Sequence, residues 1–493
     1  MEAMSRRSFL ERAGLLGGTA VGGAVVAALA GADAPAEAGE RHGGGYGPLA
    51  PVAPINDPDG FEILALPKGF RYAVFGKIGD PMVSDPGTPY ANAHDGMAAF
   101  DLRHGVVRLT RNQEDRATPG DGSVGGPAET RYDPLGGGGV TVIDFDVRRA
   151  RVVNDYFGVN GTIVNCAGGV AVGRSGWLTC EETIEGPPNG WARKHGYVFF
   201  VPLRAGRTVP ALPLTAMGRF SHEAVSVART GVVYLTEDAG SGRGSGFYRF
   251  TPTNPRRLRD GGRLEMLAVA GHPQADLREG QVVGAELPVR WVPIEHPDPD
   301  PVIDIDRPGA NSCFTQGWAA GGAKFNRLEG TWPARGRVLF ASTSGGDAKN
   351  GDVNSDGFAE GYGQIWEYRP FGNRGRGTLR LVFESPGGSV LDSPDNVNIT
   401  PRGGVILCED DAGSADGDTH PLAPGITDVN RLVGLTRHGR AFEFAVNRLN
   451  STELAGACFG NDGRTLFFNI YGDGTPASGM TCAVTGPWRR GDL

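Results

Sequence analysis

Gly176-Trp177-Leu178-Thr179-Cys180-Glu181-Glu182 decides how the rest of the chain reads. A turn glycine starts a short strand of bulky residues that runs directly into a thiol and two carboxylates. The pattern recurs: Gly231-Val232-Val233-Tyr234-Leu235-Thr236 ends in Glu237-Asp238, and Gly404-Val405-Ile406-Leu407-Cys408 ends in Glu409-Asp410. Each is preceded by another alternating strand that begins on a polar residue, Cys166, Glu223 and Asp395 respectively. The pairs Cys166/Cys180, Glu223/Glu237 and Asp395/Glu409 all have a spacing of 14 positions. Three hairpins therefore share one register, and in each the first polar residue is expected to face the terminal thiol or acid.

Such hairpins, spread through a chain dense in turn glycine, predict an all-β fold of radially repeated blades, an irregular β-propeller with loop insertions. Matching strand ends of successive blades lie on one face around one axis, so carboxylates and a thiol far apart in sequence converge there. A single acidic pair after a strand also reads as a solvated loop. Three in one register, one with a cysteine beside the carboxylates, point to a shared site for polyvalent cations. On this argument Glu181, Glu237, Glu409 and Glu114 are candidate metal ligands; Glu114 ends the looser hairpin from His94-Asp95 through Val106-Val107-Arg108-Leu109-Thr110 to Arg111-Asn112-Gln113-Glu114-Asp115.

The chain has 493 residues, with 79 glycines and 35 prolines, yet 39% of its residues are hydrophobic. That composition describes a turn-rich globular protein rather than a disordered one, and the length suits one large all-β domain over residues 61–493. A formal charge of −8 argues against a nucleic-acid surface and suits a protein that gathers cations. Ser5-Arg6-Arg7-Ser8-Phe9-Leu10 is a twin-arginine export motif, followed by a glycine-diluted apolar run and small-residue cleavage sites at Ala34-Pro35-Ala36 and Ala36-Glu37-Ala38. Residues 1–38 are thus expected to be a signal peptide that leaves no stable membrane anchor, residues 39–60 an extended lead-in, and the mature protein periplasmic or secreted, with the twin-arginine machinery as a partner. Export of a folded chain suits a cofactor loaded in the cytosol. Of the six cysteines, Cys166 and Cys180 are expected opposite each other, as a disulfide or as metal ligands, while Cys313, Cys408, Cys458 and Cys482 read as small core residues.

Residues 252–320 read as an insertion or long loop. Arg327-Leu328-Glu329-Gly330 sets an arginine two residues from a glutamate at a strand entry, which suits either an anion held beside a cation or a surface ion pair. Asp352-Val353-Asn354-Ser355-Asp356-Gly357 matches the first half of a calcium-binding EF-hand loop, but Gly363 stands where its bidentate glutamate belongs; a short calcium loop or an Asx-rich turn remains.

Taken together, the twin-arginine leader, Asn112-Gln113-Glu114, Asn165-Cys166, Trp177-Leu178-Thr179-Cys180-Glu181-Glu182, Gly218-Arg219-Phe220-Ser221-His222-Glu223, Arg327-Leu328-Glu329-Gly330, Pro394-Asp395-Asn396 and Gly456-Ala457-Cys458-Phe459 resemble the PhoX-type alkaline phosphatase family of exported bacterial proteins. The resemblance implies a six-bladed propeller with iron, as Fe3+, and calcium at its axis, hydrolysing small-molecule phosphate monoesters. Residue by residue it implies Cys180 as the iron-binding thiolate, Glu223, Glu329 and Asp395 as carboxylate ligands, and Arg327 as the phosphate-contacting arginine. Asn112 is a second candidate catalytic residue. The chain departs from the family pattern at His94-Asp95, where an Asn-Asn-Asp run is expected. Clustered cations suit phosphoryl transfer, hard carboxylates suit calcium, and a soft thiolate suits iron. Two other functions fit the same residues: a calcium-dependent propeller lactonase or esterase, and a non-catalytic exported scaffold with structural metals. No nucleophile-elbow serine is evident.

Overall fold

In the computed structural model, described over residues 45–300, 312–372, 375–411, 417–460 and 462–493, antiparallel sheets surround a common axis. The six innermost strands are His94–Asp101, Asn165–Val170, His222–Val227, Leu328–Ala334, Pro394–Ile399 and Leu454–Phe459. Each packs against the next, and the last returns to the first. Each is hairpin-paired to a second strand: Val106–Gln113, Gly176–Glu181, Val233–Glu237, Arg337–Ser342, Val405–Glu409 and Thr465–Ile470. The fold is a β-propeller, and its ring is closed across the termini, because Arg71–Phe75 adds to Met480–Thr485 as the outer strand of the last sheet.

Period-2 alternation explains how these sheets hold together. Along Gly176–Glu181 the side chains of Leu178 and Cys180 enter a core shared with the following sheet (Val225, Leu235, Tyr248). Trp177 enters the core shared with the preceding one (Ala98, Val140, Val159). The same division runs right round the ring, so an apolar core lies between each neighbouring pair of sheets.

Within the lead-in the strand Leu49–Val52 pairs with Leu64–Pro67. One expectation needs correction. Residues 252–320 are not merely an irregular insertion: they supply the strands Gly262–Val269 and Glu286–Pro293 and the short helix Cys313–Ala319. Glu286–Pro293 pairs with Gly262–Val269 on one side and Arg376–Glu384 on the other, joining two neighbouring sheets edge to edge. The twin-arginine motif and both cleavage sites lie outside the described residues, as does most of the aspartate-rich tract ending at Asp306. Among the described residues no helix is long and apolar enough to cross a membrane.

Register matters most for the site. Asn165 faces Glu181 and Gly168 faces Thr179, so Cys166 and Ala167 share the place opposite Cys180 in a bulge, and the thiols part: Cys180 enters an apolar core and Cys166 the axis. Both thiols are free. All six hairpins slip in this way, after His94, Asn165, His222, Leu328, Pro394 and Ala455. A bulge leaves an extra residue unpaired and re-aims its side chain. Glycines make the crowding possible: a Cβ on Gly96 would lie 2.4 Å from Ala167 Cα, and Gly456, at φ +65°, stands where a Cβ would lie 2.7 Å from the carbonyl oxygen of Asp95.

Candidate metal centre

The bulges and the ends of the second strands build one acidic centre at the axis. In five hairpins the inner strand presents Asp95, Cys166, Glu223, Glu329 and Asp395, each one residue after the last regular pair. The second strands end in Gln113-Glu114, Glu181-Glu182, Glu237-Asp238 and Glu409-Asp410. Alternation sends the first member of each pair into its own sheet and the second towards the axis. The result is a chain of overlapping triads whose potential ligand atoms lie within 4.8 Å of one another: Asp95–Glu114–Cys166, Cys166–Glu182–Glu223, Glu182–Asp238–Glu329, Glu223–Glu329–Asp395 and Asp395–Asp410–Glu453. A cavity of about 340 Å3 opens over them, with Arg116, Arg327 and Tyr471 in its wall.

The electrostatics are those of a site without enough positive charge of its own. Glu223 is fully buried and neither carboxylate oxygen has a hydrogen-bond partner, although a buried carboxylate left so is costly. Burial, then Asp395, Glu329 and Glu182, push its pKa well up. Burial and Asp410 raise Asp395 to about 7. Burial together with Asp95, Glu223 and Glu114 raises the Cys166 thiol, and Glu182, Glu329 and Glu453 are raised likewise by burial and carboxylate neighbours. Two arginines offset part of this. Arg116 pairs with Glu114 and, at 2.5 Å, with Glu182. Arg327, φ 43°, lies 3.0 Å from Asp238 and 3.1 Å from Glu329; burial opposes its charge, but those two carboxylates outweigh it and raise its pKa.

Of the residues singled out from sequence, Glu114, Glu223, Glu329, Asp395 and Arg327 meet here. Cys180 does not: it is fully buried in an apolar core, and Cys166 is the thiol at the axis. Glu181, Glu237 and Glu409 also point away, and each clamps the third strand of its own sheet. Glu181 accepts from Gly196 N at 2.9 Å and lies 2.6 Å from His195 Nδ1. Glu237 accepts from Gly246 N at 3.0 Å and Tyr248 OH at 2.6 Å. Glu409 takes Arg431 N at 2.9 Å and the Arg431 guanidinium at 2.6 Å. Asn112 does not itself line the cavity. Its amide donates to the carbonyls of Cys166 at 2.8 Å and Ala167 at 2.7 Å and accepts from Trp177 Nε1 at 2.8 Å, so it fixes the bulge that carries Cys166.

The Asp352–Gly357 segment is an ion-paired turn: Asp356 bonds Arg278 at 2.7 Å, and Asn354 donates to Asn326 at 2.7 Å. Sequence reading missed Arg116, Asp95, Glu182, Asp238, Asp410 and Glu453 as axial groups. The signal for three of them was present: where the first acid of a pair turns into its sheet, the next must face the axis.

The inner strands of this β-propeller converge on buried carboxylates, one thiol and two arginines, a donor set of the kind that can hold a metal ion. A family model, Alkaline phosphatase PhoX, matches residues 45–474. The chain belongs to this family and is thus a phosphoric monoester hydrolase of the alkaline phosphatase type. Among solved structures it is similar to Pseudomonas fluorescens PhoX in complex with vanadate, a transition-state analogue, with 18% identity, TM-score 0.63, and 90% of this chain and 98% of that one covered. It is more distantly similar to a Xanthomonas campestris gluconolactonase, with 11% identity, TM-score 0.40, and 90% and 98% of the two chains covered. No curated protein sequence matches the chain.

Proposed function

We propose that this protein releases phosphate from small-molecule phosphate monoesters in the axial cavity, with iron and calcium held by its acidic triads. The observation that carries the reading is Glu223: a carboxylate with no partner, buried among triads whose members repel one another unless cations stand between them. The donor set fits both metals. Cys166 with Asp95, Glu114, Glu182 and Glu223 offers one soft thiolate among hard oxygens, as iron accepts, and Asp395, Asp410 and Glu453 offer oxygen alone, as calcium prefers. Bound there, the cations would supply charge neutralisation for the phosphoryl oxygens and activation of a water nucleophile.

The chain's own residues do the remaining work. Arg327 and Arg116 stand at the cavity wall with planar guanidinium forks suited to phosphate oxygens. Asp238, Glu329, Glu114 and Glu182 hold those forks in place. Asn112 keeps the Cys166 bulge aimed at the axis. Without cations the carboxylates would repel a phosphate dianion, so binding and turnover depend on loading. The leader Ser5–Leu10 supports export by the twin-arginine route to the periplasm or beyond.

The test is metal analysis and visible absorption on protein purified from its export route, with hydrolysis of a generic phosphomonoester with and without calcium. Expected are iron plus calcium, a charge-transfer band lost in Cys166→Ala, and calcium-dependent phosphate release. Calcium without iron, or both metals without turnover, would refute the reading.

A further inference from the structure

The axial cavity is built from the starts of the inner strands and the ends of the second strands. The turns Val227–Val233 and Ala334–Arg337 join such strands at their other ends, and so lie on the opposite face of the propeller. There a trough of about 1310 Å3 runs between two neighbouring sheets, on the region that Glu286–Pro293 ties together. Arg229, Arg249, Arg263, Arg290, Arg335, Arg337 and Arg376 line it, against one carboxylate, Glu265.

Internal pairing leaves much of that charge uncompensated. Glu265 takes Arg249 at 2.6 Å and Arg263 at 3.3 Å, and Arg337 reaches Glu367 at 2.5 Å. Arg229, Arg290, Arg335 and Arg376 are exposed and form no ion pair among the described residues. Arg290, however, alternates to the strand face opposite Trp291, with its guanidinium against Gly321, so three unneutralised guanidinium groups, those of Arg229, Arg335 and Arg376, share the concavity in a chain of net charge −8. Like charges gathered in a concave wall focus a positive potential that only a polyvalent anion relieves at several points at once.

We propose that this trough binds linear polyphosphate, at a site separate from the axial cavity. The forks suit phosphate oxygens, and the trough is far larger than a single phosphate needs. The aromatic residues beneath it are not free platforms: Tyr234, Trp291 and Tyr368 are 4%, 9% and 0% exposed, and Arg249 lies 4.8 Å over the Trp291 ring. Single-stranded nucleic acid is held by bases stacked on accessible rings, which this surface does not offer. The exposed residues between the arginines are Thr230, Pro293, Gly336 and Gly372, with no large apolar side chain to take an acyl chain.

The experiment is equilibrium binding of linear polyphosphate of defined length to the metal-loaded full chain, with saturating vanadate to occupy the axial cavity. Binding is expected to persist under vanadate and, with three phosphate contacts, to weaken about 20-fold between 50 and 200 mM salt if counterion release follows the single-strand slope. The variant carrying Arg229→Gln, Arg335→Gln and Arg376→Gln should bind at least about tenfold more weakly while keeping the wild-type melting temperature and phosphomonoester hydrolysis. If that variant fails to fold, Arg229→Gln/Arg376→Gln and Arg335→Gln should each lose part of the affinity. Absence of binding, displacement by vanadate, unchanged affinity in the variants, or tighter binding of a single-stranded oligonucleotide or of anionic phospholipid vesicles would overturn the proposal.

Discussion

Replacing Asn112 with leucine separates a catalytic from a positioning role. The amide makes three buried hydrogen bonds, to the carbonyls of Cys166 and Ala167 and from Trp177 Nε1. Leucine fills a similar volume but leaves all three partners unsatisfied, at about 1–3 kcal/mol each, so the loss of stability should be roughly 3–9 kcal/mol. Part of that strain falls on the bulge carrying Cys166, so iron content should fall together with stability. Urea unfolding of the metal-free protein reads the first effect, and metal analysis after reloading reads the second. A catalytic amide would behave differently, with kcat reduced while the unfolding midpoint and iron content stay at wild-type values. That outcome, or a stability loss below about 1 kcal/mol, would refute the positioning argument.

The two cysteines of neighbouring strands should part company. Cys166→Ala should lose the visible band and nearly all turnover, whereas Cys180→Ala, a small deletion in an apolar core, should keep both and lose about 1 kcal/mol of stability. Glu409→Ala removes the carboxylate that holds Arg431, which is almost fully buried, and should cost about 3–5 kcal/mol by denaturant unfolding. His195, against Glu181 at 2.6 Å and Asp133 at 3.3 Å, has its pKa raised to about 9: burial opposes the charge, but the two carboxylates outweigh it. Its folded pKa exceeds its unfolded value, so its contribution, on the order of 3 kcal/mol, is fully present below about pH 6.5 and lost as pH rises through 9. Thermal melts from pH 6 to 10 should therefore decline on the alkaline side for wild type and less steeply for His195→Gln. Chelation should lower the melting temperature of the loaded protein, because it restores carboxylate repulsion at the axis; an unchanged melt would count against bound cations.

Much of the fold was legible because it rests on local rules. Turn glycine before Trp177, alternation through Leu178 and Cys180, and the recurrence of that pattern at Glu237 and Glu409 specify hairpins with buried faces, and repetition of such hairpins specifies blades. Glu223, Glu329 and Asp395 were legible as site residues through the family resemblance, and Glu223 and Asp395 also because each begins an alternating strand. The misplaced carboxylates came from one physical source. Equal spacing in sequence was read as equal register in space, but a bulge adds a residue to one strand only, and every hairpin of the ring has one. Spacing therefore placed Glu181, Glu237 and Glu409 where their successors Glu182, Asp238 and Asp410 stand, while the resemblance pointed to Cys180 where Cys166 stands.

By itself, then, the sequence determined that this chain forms repeated hairpins, that acids cluster at their ends, and that its overall charge is negative. Those are properties of neighbours along the chain and of sums over it. Only the tertiary structure decided which acid of each pair faces the axis, since a period of two turns a one-residue slip into a change of face. It also decided that Arg116 and Arg327, more than 200 positions apart in sequence, share one cavity wall. On the far face, arginines from separate blades meet in one trough, which a net charge of −8 conceals because a sum carries no positions.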